Sequence, residues 1–120
     1  MTDPFALEGA LKIQANGQGQ QRVLKVSGQL TESECPDFMA ALKQESTSGT
    51  KRLVLDLDAL NYISSAGLGA LVSMHEALTK TGCRLILAGT NPKVRKLLTL
   101  TSLDRLIENA DNVAEALKKP

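Results

Sequence analysis

The sequence predicts a single α/β domain: a mixed sheet of about five strands, beginning with an N-terminal hairpin, and about four helices. Three observations carry this prediction. An alternating segment near the N-terminus reads as a hairpin. Two nearly continuous apolar runs, RLVLDL from Arg52 and RLILAG from Arg84, read as strands covered on both faces, and a stretch of helical period separates them. A strand, a helix of about fourteen residues and a second buried strand, in that order, predict parallel strands joined by a right-handed crossover.

Each element has its own reason. LKIQA from Leu11 places Leu11, Ile13 and Ala15 on one face; the polar tract NGQGQQ from Asn16 opens with the turn-forming Asn-Gly pair, and RVLKVSG from Arg22 returns as the second arm. Beyond Gly28, Cys35, Phe38, Met39 and Leu42 recur at helical spacing, with Pro36 in the first turn and Thr31 or Ser33 available as a cap. The stretch STSGT from Ser46 ends that helix, and RLVLDL becomes the centre of the sheet. Leu68, Leu71, Val72 and Leu78 describe the crossover helix, which Thr81-Gly82 stops. In TNPKVRKLL, Asn91 is the predicted N-cap, Pro92 the first helical residue, and Val94, Leu97 and Leu98 face inward. A short strand over Arg105 to Ile107 and a last helix from about Asn112, with Val113, Ala116 and Leu117 inward, complete the chain. Residues 1–10 read as a flexible lead-in and 11–120 as the domain.

Composition removes several functional classes. A chain of 120 residues, 42% hydrophobic and 22% charged, supports one core rather than two. Its 14 basic and 13 acidic residues are spread along the sequence, so net charge does not steer it to nucleic acid or anionic lipid. Trp is absent, and Phe5, Phe38 and Tyr62 are the only aromatics, too few for a single-strand stacking platform. Cys35, Cys83 and the single His75 are too dispersed for a zinc site, and no metal or cofactor is expected. The N-terminal MTDPFALEGA lacks a signal-peptide pattern, and no apolar run approaches the ~20 residues of a membrane span. A cytoplasmic protein with reduced thiols is the expectation.

The informative stretch is NYISSAGLGALVSM, Asn61 to Met74, where a strand-like run gives way to the crossover helix. Sites in open α/β sheets gather at such strand ends. Ser65 is placed to cap the helix, its oxygen facing the N–H of Gly67 or Leu68. The two glycines argue for more than a cap. Gly67 and Gly69 each cost up to ~1 kcal/mol in a helix relative to alanine, and their bare backbone invites close approach by a partner or a kinase. A phosphate there would meet the positive end of the helix dipole.

Catalytic readings fare worse. The serines lack the preceding glycine of a nucleophile elbow, and His75, ten residues along the same helix, lies about 15 Å from Ser65 at 1.5 Å per residue. The glycines match neither a P-loop nor a dinucleotide fingerprint. Asp56 and Asp58, two apart, face one side and form a conceivable carboxylate pair without a third ligand. His75 reads as a packed or edge residue of its helix.

The run LVLDLDALNYISSAGLGALVSMHEAL, followed by GCRLILAGTNPKVRKLLTLTSLDRLI, resembles the STAS domain family, and more narrowly the bacterial anti-sigma factor antagonists. The resemblance extends from the hairpin to the last helix. Tyr62, Ile63, Ala66, Gly67, Leu68 and Gly69 match the family pattern, and Ser65 matches its phosphorylated serine. Ser64 stands where Asp is common, which leaves a second hydroxyl beside the expected acceptor. Gly28-Gln29-Leu30-Thr31 replaces the family's Gly-Glu-Leu-Asp signature at the partner-facing rim.

The resemblance implies a partner switch without catalysis. The unphosphorylated antagonist binds an anti-sigma factor serine kinase and frees that kinase's target; phosphorylation of Ser65, or of Ser64 as second choice, releases it, and a serine phosphatase resets the cycle. Ser64, Ser65, Ala66, Gly67, Leu68, Gly69 and Thr31 would contact the partner, and neither nucleic acid nor membrane is bound directly. The rival readings are a STAS module that binds a small ligand or serves as a scaffold subunit of a larger signalling assembly, and a serine hydrolase.

Overall fold

A computed structural model describes residues 11–46 and 49–120. The expectations for residues 1–10, and for Thr47 and Ser48 of the STSGT stretch, lie outside them. The chain runs β1 (Lys12–Gln18), β2 (Gln21–Leu30), a 3-10 turn (Glu32–Glu34), α1 (Cys35–Glu45), β3 (Arg52–Asp56), β4 (Leu60–Ile63), α2 (Ser65–Lys80), β5 (Arg84–Ala88), α3 (Pro92–Leu100), α4 (Leu103–Leu106), β6 (Glu108–Ala110) and α5 (Val113–Lys118). The strand order is β1-β2-β3-β5-β6, with β4 attached separately to β2. Only β1 is antiparallel to its neighbour.

The predicted crossover holds: β3 and β5 pair in parallel, Leu53 opposite Leu85 and Leu55 opposite Leu87. Alternation sends these leucines to one face and Val54 and Ile86 to the other. On the first face Leu24, Val26, Leu53, Leu55, Leu85 and Leu87 pack against Phe38 and Leu42 of α1, Leu71 and Met74 of α2, and Val94 and Leu98 of α3. The second face is thinner: Val54, Ile86 and Ala88 pack under Ala116 of α5. Leu53, Leu55, Leu71, Leu85 and Leu87 are fully buried, while Met39, Leu68, Val72 and Leu97, also expected to face inward, are half-buried against the same cluster.

Three local expectations are corrected. The hairpin does not turn at Asn16-Gly17. β1 continues through both to Gln18, which lies opposite Gln21, and the reversal falls on Gly19 and Gln20. Gly17 keeps its place in the strand with a φ of +107°, where a Cβ would approach the Gln21 carbonyl oxygen to 2.9 Å. The strand expected over Arg105 to Ile107 is instead the single helical turn α4, entered through left-handed Ser102, and the strand follows at Glu108–Ala110. Its sequence, Glu-Asn-Ala, carries no strand propensity; pairing with Ile86, Leu87 and Ala88 makes it one. Lastly, β4 intervenes between the central strand and the junction.

β2 serves two neighbours. Gln21 to Lys25 pair with β3, whereas Gly28, Gln29 and Leu30 pair with β4 after a register shift between Gly28 and Gln29. Gly28 takes a φ of +95° there, a conformation that glycine adopts without strain. The upper, carboxyl end of the sheet is thereby forked, and the start of α2 sits against the fork. Asn91 holds α3 to the same place: its side-chain oxygen caps the N–H groups of Lys93 (3.0 Å) and Val94 (3.1 Å), and its side-chain NH2 donates to the Leu60 carbonyl.

Candidate functional site

The junction serines have separate roles. Ser64, not Ser65, is the N-cap of α2: its backbone is extended (φ −85°, ψ 172°) and its hydroxyl oxygen accepts the Gly67 N–H at 3.1 Å. Its own N–H donates to the Leu30 carbonyl at 2.9 Å, and its carbonyl accepts the Leu68 N–H at 2.9 Å. Sequence spacing alone favoured Ser65. The addition of β4 brings Ile63 into a strand and leaves Ser64 as the half-in residue between strand and helix, the position at which a cap must stand. Ser65 is the first helical residue, it is exposed, and its hydroxyl makes no hydrogen bond among the described residues.

The glycines also divide. A Cβ on Gly67 would meet Ile63 Cγ1 at 2.7 Å and the Leu30 carbonyl oxygen at 2.8 Å. Gly67 is buried, and its bare backbone is spent internally in letting the first turn of α2 rest on the fork of β2 and β4. It therefore presents no open backbone to a partner. Gly69 is the opposite case: it is exposed, and nothing lies within 4 Å of where its Cβ would be. Ala66 is exposed, and Leu68 is half-buried against the core. Ser65, Ala66 and Gly69 thus form the accessible part of the motif.

Thr31 continues β2 beyond Leu30, whose carbonyl accepts the Ser64 N–H, so it belongs to the same rim. Neither Thr31 nor Ser33 caps a helix with its side chain. Both hydroxyls donate instead to the Glu34 carboxylate, Ser33 at 2.8 Å. These bonds, Thr31's first, hold the Glu34 carboxyl below its ordinary pKa. Cys35 donates to the Thr31 carbonyl at 3.3 Å, and burial, followed by the charges of Glu32 and Glu34, pushes its thiol pKa up. Tyr62 stands 47% exposed on β4 opposite exposed Gln29 and extends the rim. No local pattern signals this pair, because their juxtaposition depends on the register shift in β2.

The remaining candidates do not join this site. Asp56 and Asp58 meet through the Asp58 N–H, which donates to Asp56 Oδ1 at 3.2 Å; with Gly89, Asp111 and Asn112 they line a shallow cavity of about 450 Å³. No group of three or more metal-type side chains among the described residues is arranged to hold an ion. His75 is half-buried along α2, away from the serines. Cys83 is buried, which raises its thiol pKa. None of the described helices is long and apolar enough to cross a membrane.

Similarity to known proteins agrees with this geometry. A Thermotoga maritima protein, provisionally named an anti-sigma factor antagonist, is 31% identical over 71 residues, 59% of this chain and 63% of that one. The anti-sigma-B factor antagonist of Staphylococcus aureus is 27% identical over 97 residues, 81% of this chain and 90% of its own length. In fold, the chain is similar to an anti-sigma factor antagonist from Mycobacterium paratuberculosis (TM-score 0.78, 24% identity, 98% and 96% of the two chains). It is also similar to the Bacillus cell fate determinant SpoIIAA in its phosphorylated form (TM-score 0.66, 19% identity, 88% and 96%). The STAS domain model matches residues 12–116, from the first strand to the last helix, and the chain belongs to the STAS domain family.

Proposed function

We propose that the protein is an anti-sigma factor antagonist that works as a partner switch. Its unphosphorylated form docks an anti-sigma factor serine kinase on the rim formed by Thr31, Ser64, Ser65, Ala66, Leu68 and Gly69, and so frees the regulator that the kinase was holding. Phosphorylation of Ser65 ends the complex, and a serine phosphatase restores the starting state. The domain contributes no catalysis of its own and acts in the cytoplasm.

One observation carries this reading: of two adjacent hydroxyls, that of Ser64 is engaged by the Gly67 N–H while that of Ser65 is exposed and unengaged. A kinase can reach Ser65 without dismantling the helix start, so Ser65 is the acceptor and Ser64 the cap. A phosphate on Ser65 adds nearly two negative charges to a face that must be desolvated when a partner docks, and an unpaired buried charge is costly. Gly67 supports the rim from within rather than by touching the partner.

The test is a pull-down from extract of the source cells with the unphosphorylated protein and with Ser65→Asp, followed by identification of bound chains and of the phosphorylated residue after ATP is added. A kinase-like ATPase retained by the first and lost from the second, with phosphate on Ser65, is the expected result. Retention of the same partner by both, or phosphate on Ser64, overturns it.

A further inference from the structure

The charges that lie scattered along the sequence are unevenly placed by the fold. The lower end of the molecule is where β2, β3 and β5 begin and where α1, α2 and α5 finish. Lys43, Lys80 and Lys118 occupy the last turns of those helices and offset their dipoles, which accounts for these three. Four further cations, Lys51, Arg52, Arg84 and Lys119, line a shallow cavity of about 300 Å³ between them. Backbone bonds clamp the cluster: the Lys51 N–H donates to the Gln20 carbonyl at 2.8 Å, and the Arg84 N–H to the Lys51 carbonyl at 2.8 Å.

The two arginines are already committed. Arg52 donates to the carbonyls of Ala116 (3.1 Å), Leu117 (2.9 Å), Lys119 (2.5 Å) and Pro120 (3.4 Å), while Arg84 donates to the Pro120 oxygen and grips both oxygens of Glu108 at 2.9 Å. Lys51 and Lys119 form no ion pair among the described residues. The cavity therefore lacks the free, convergent donors that a small oxyanion requires. It offers instead the ammonium charges of Lys51 and Lys119 on flexible stems beside the fixed Arg52 guanidinium, which forms no ion pair among the described residues, and this suits a run of carboxylates attracted through the field of the three. Tyr62, the only exposed aromatic among the described residues, is at the other end of the sheet, so no base-stacking platform accompanies the charge.

We propose that this lower end is a docking surface for an acidic polypeptide segment. Helix α2, of 16 residues, separates it from Ser65 by about 24 Å, so the two faces can be occupied together. This does not depend on the function proposed for Ser65.

The test titrates the isotopically labelled full chain with a decaglutamate peptide at about 20 mM salt, following backbone amide shifts. Shifts centred on Lys51, Arg84 and Lys119, none at Ser65 to Gly69, and a roughly tenfold loss of affinity at about 0.2 M salt are expected. Lys51→Glu/Lys119→Glu should weaken binding at least about tenfold with the remaining spectrum unchanged. Absence of shifts at low salt, shifts spread over the whole surface, or undiminished binding by the double variant overturns the proposal. So does tighter binding of an oligonucleotide or of phosphatidylserine vesicles, or displacement of the peptide by equimolar inorganic phosphate. The wild-type map is decisive even if the variant fails to fold.

Discussion

The Ser64 hydroxyl and the Gly67 N–H close the first turn of α2 across 3.1 Å, which leaves the neighbouring Ser65 outside the helix-start hydrogen bonding. Ser64→Ala should therefore cost about 1 kcal/mol of stability and leave Ser65 open to phosphorylation, whereas Ser64→Asp, itself a good cap, should cost little. Denaturant titration and intact-mass measurement after kinase treatment read the two effects separately.

The serine next to it should behave in the opposite way. Ser65→Ala should fold with nearly wild-type stability, keep its partner and take no phosphate. Ser65→Asp should fold as well but bind at least about tenfold more weakly, because its charge must be desolvated at the interface. Calorimetric titration against the recovered partner checks both.

Gly67 and Gly69 should part company on substitution. Gly67→Ala forces its methyl group against Ile63 and the Leu30 carbonyl and should destabilise the fold by about 1–3 kcal/mol. Gly69→Ala meets nothing and should raise stability by up to ~1 kcal/mol, while Gly69→Gln should weaken partner binding without loss of fold. Thermal melts paired with affinity measurements distinguish the internal glycine from the external one.

Hydrogen bonds to the ionised Glu34 carboxylate lower its pKa in the folded state, so the stability they contribute is present above the unfolded-state pKa and is lost as pH falls through the folded one. Thr31→Val removes the largest contribution. The Glu34 side-chain carbon should then titrate closer to an ordinary glutamate when followed by NMR, and that acid-side loss of stability should become smaller.

Leu55, fully buried in β3 opposite Leu87, should cost about 2–5 kcal/mol when truncated to alanine. Loss of less than about 0.5 kcal/mol in urea would place the strand outside the core.

What was legible in the sequence was what its own periodicity encodes. RLVLDL and RLILAG pair in parallel as expected, Asn91 caps its helix as expected, and the last helix starts at Asn112, which accepts the Glu115 N–H at 2.8 Å. The features missed are those that a neighbouring strand creates. Leu60–Ile63 is too short to show alternation, Glu108–Ala110 has no strand-like residues, and each becomes a strand because β2 or β5 offers it a free edge. The identity of the cap followed from the same omission, since without β4 the helix start is displaced by one residue. Gly67 was legible as unusual but not in its purpose. Its need for a bare backbone comes from Ile63 and from Leu30, the latter more than thirty residues away and connected to it by no local pattern.

The fork in β2 also makes the serine-bearing rim adjustable independently of the core. Below Gly28 the strand is locked to β3 by five consecutive residue pairs; above it β2 pairs with β4 through Gly28, Gln29 and Leu30 alone, and through β4 with Ser64 and Ser65. Within a regular strand a one-residue slip would turn every side chain to the wrong face, but an irregularity already present at Gly28-Gln29 can absorb such a change locally. The serine-bearing edge can thus tilt or rise while the leucine layer beneath it stays unaltered.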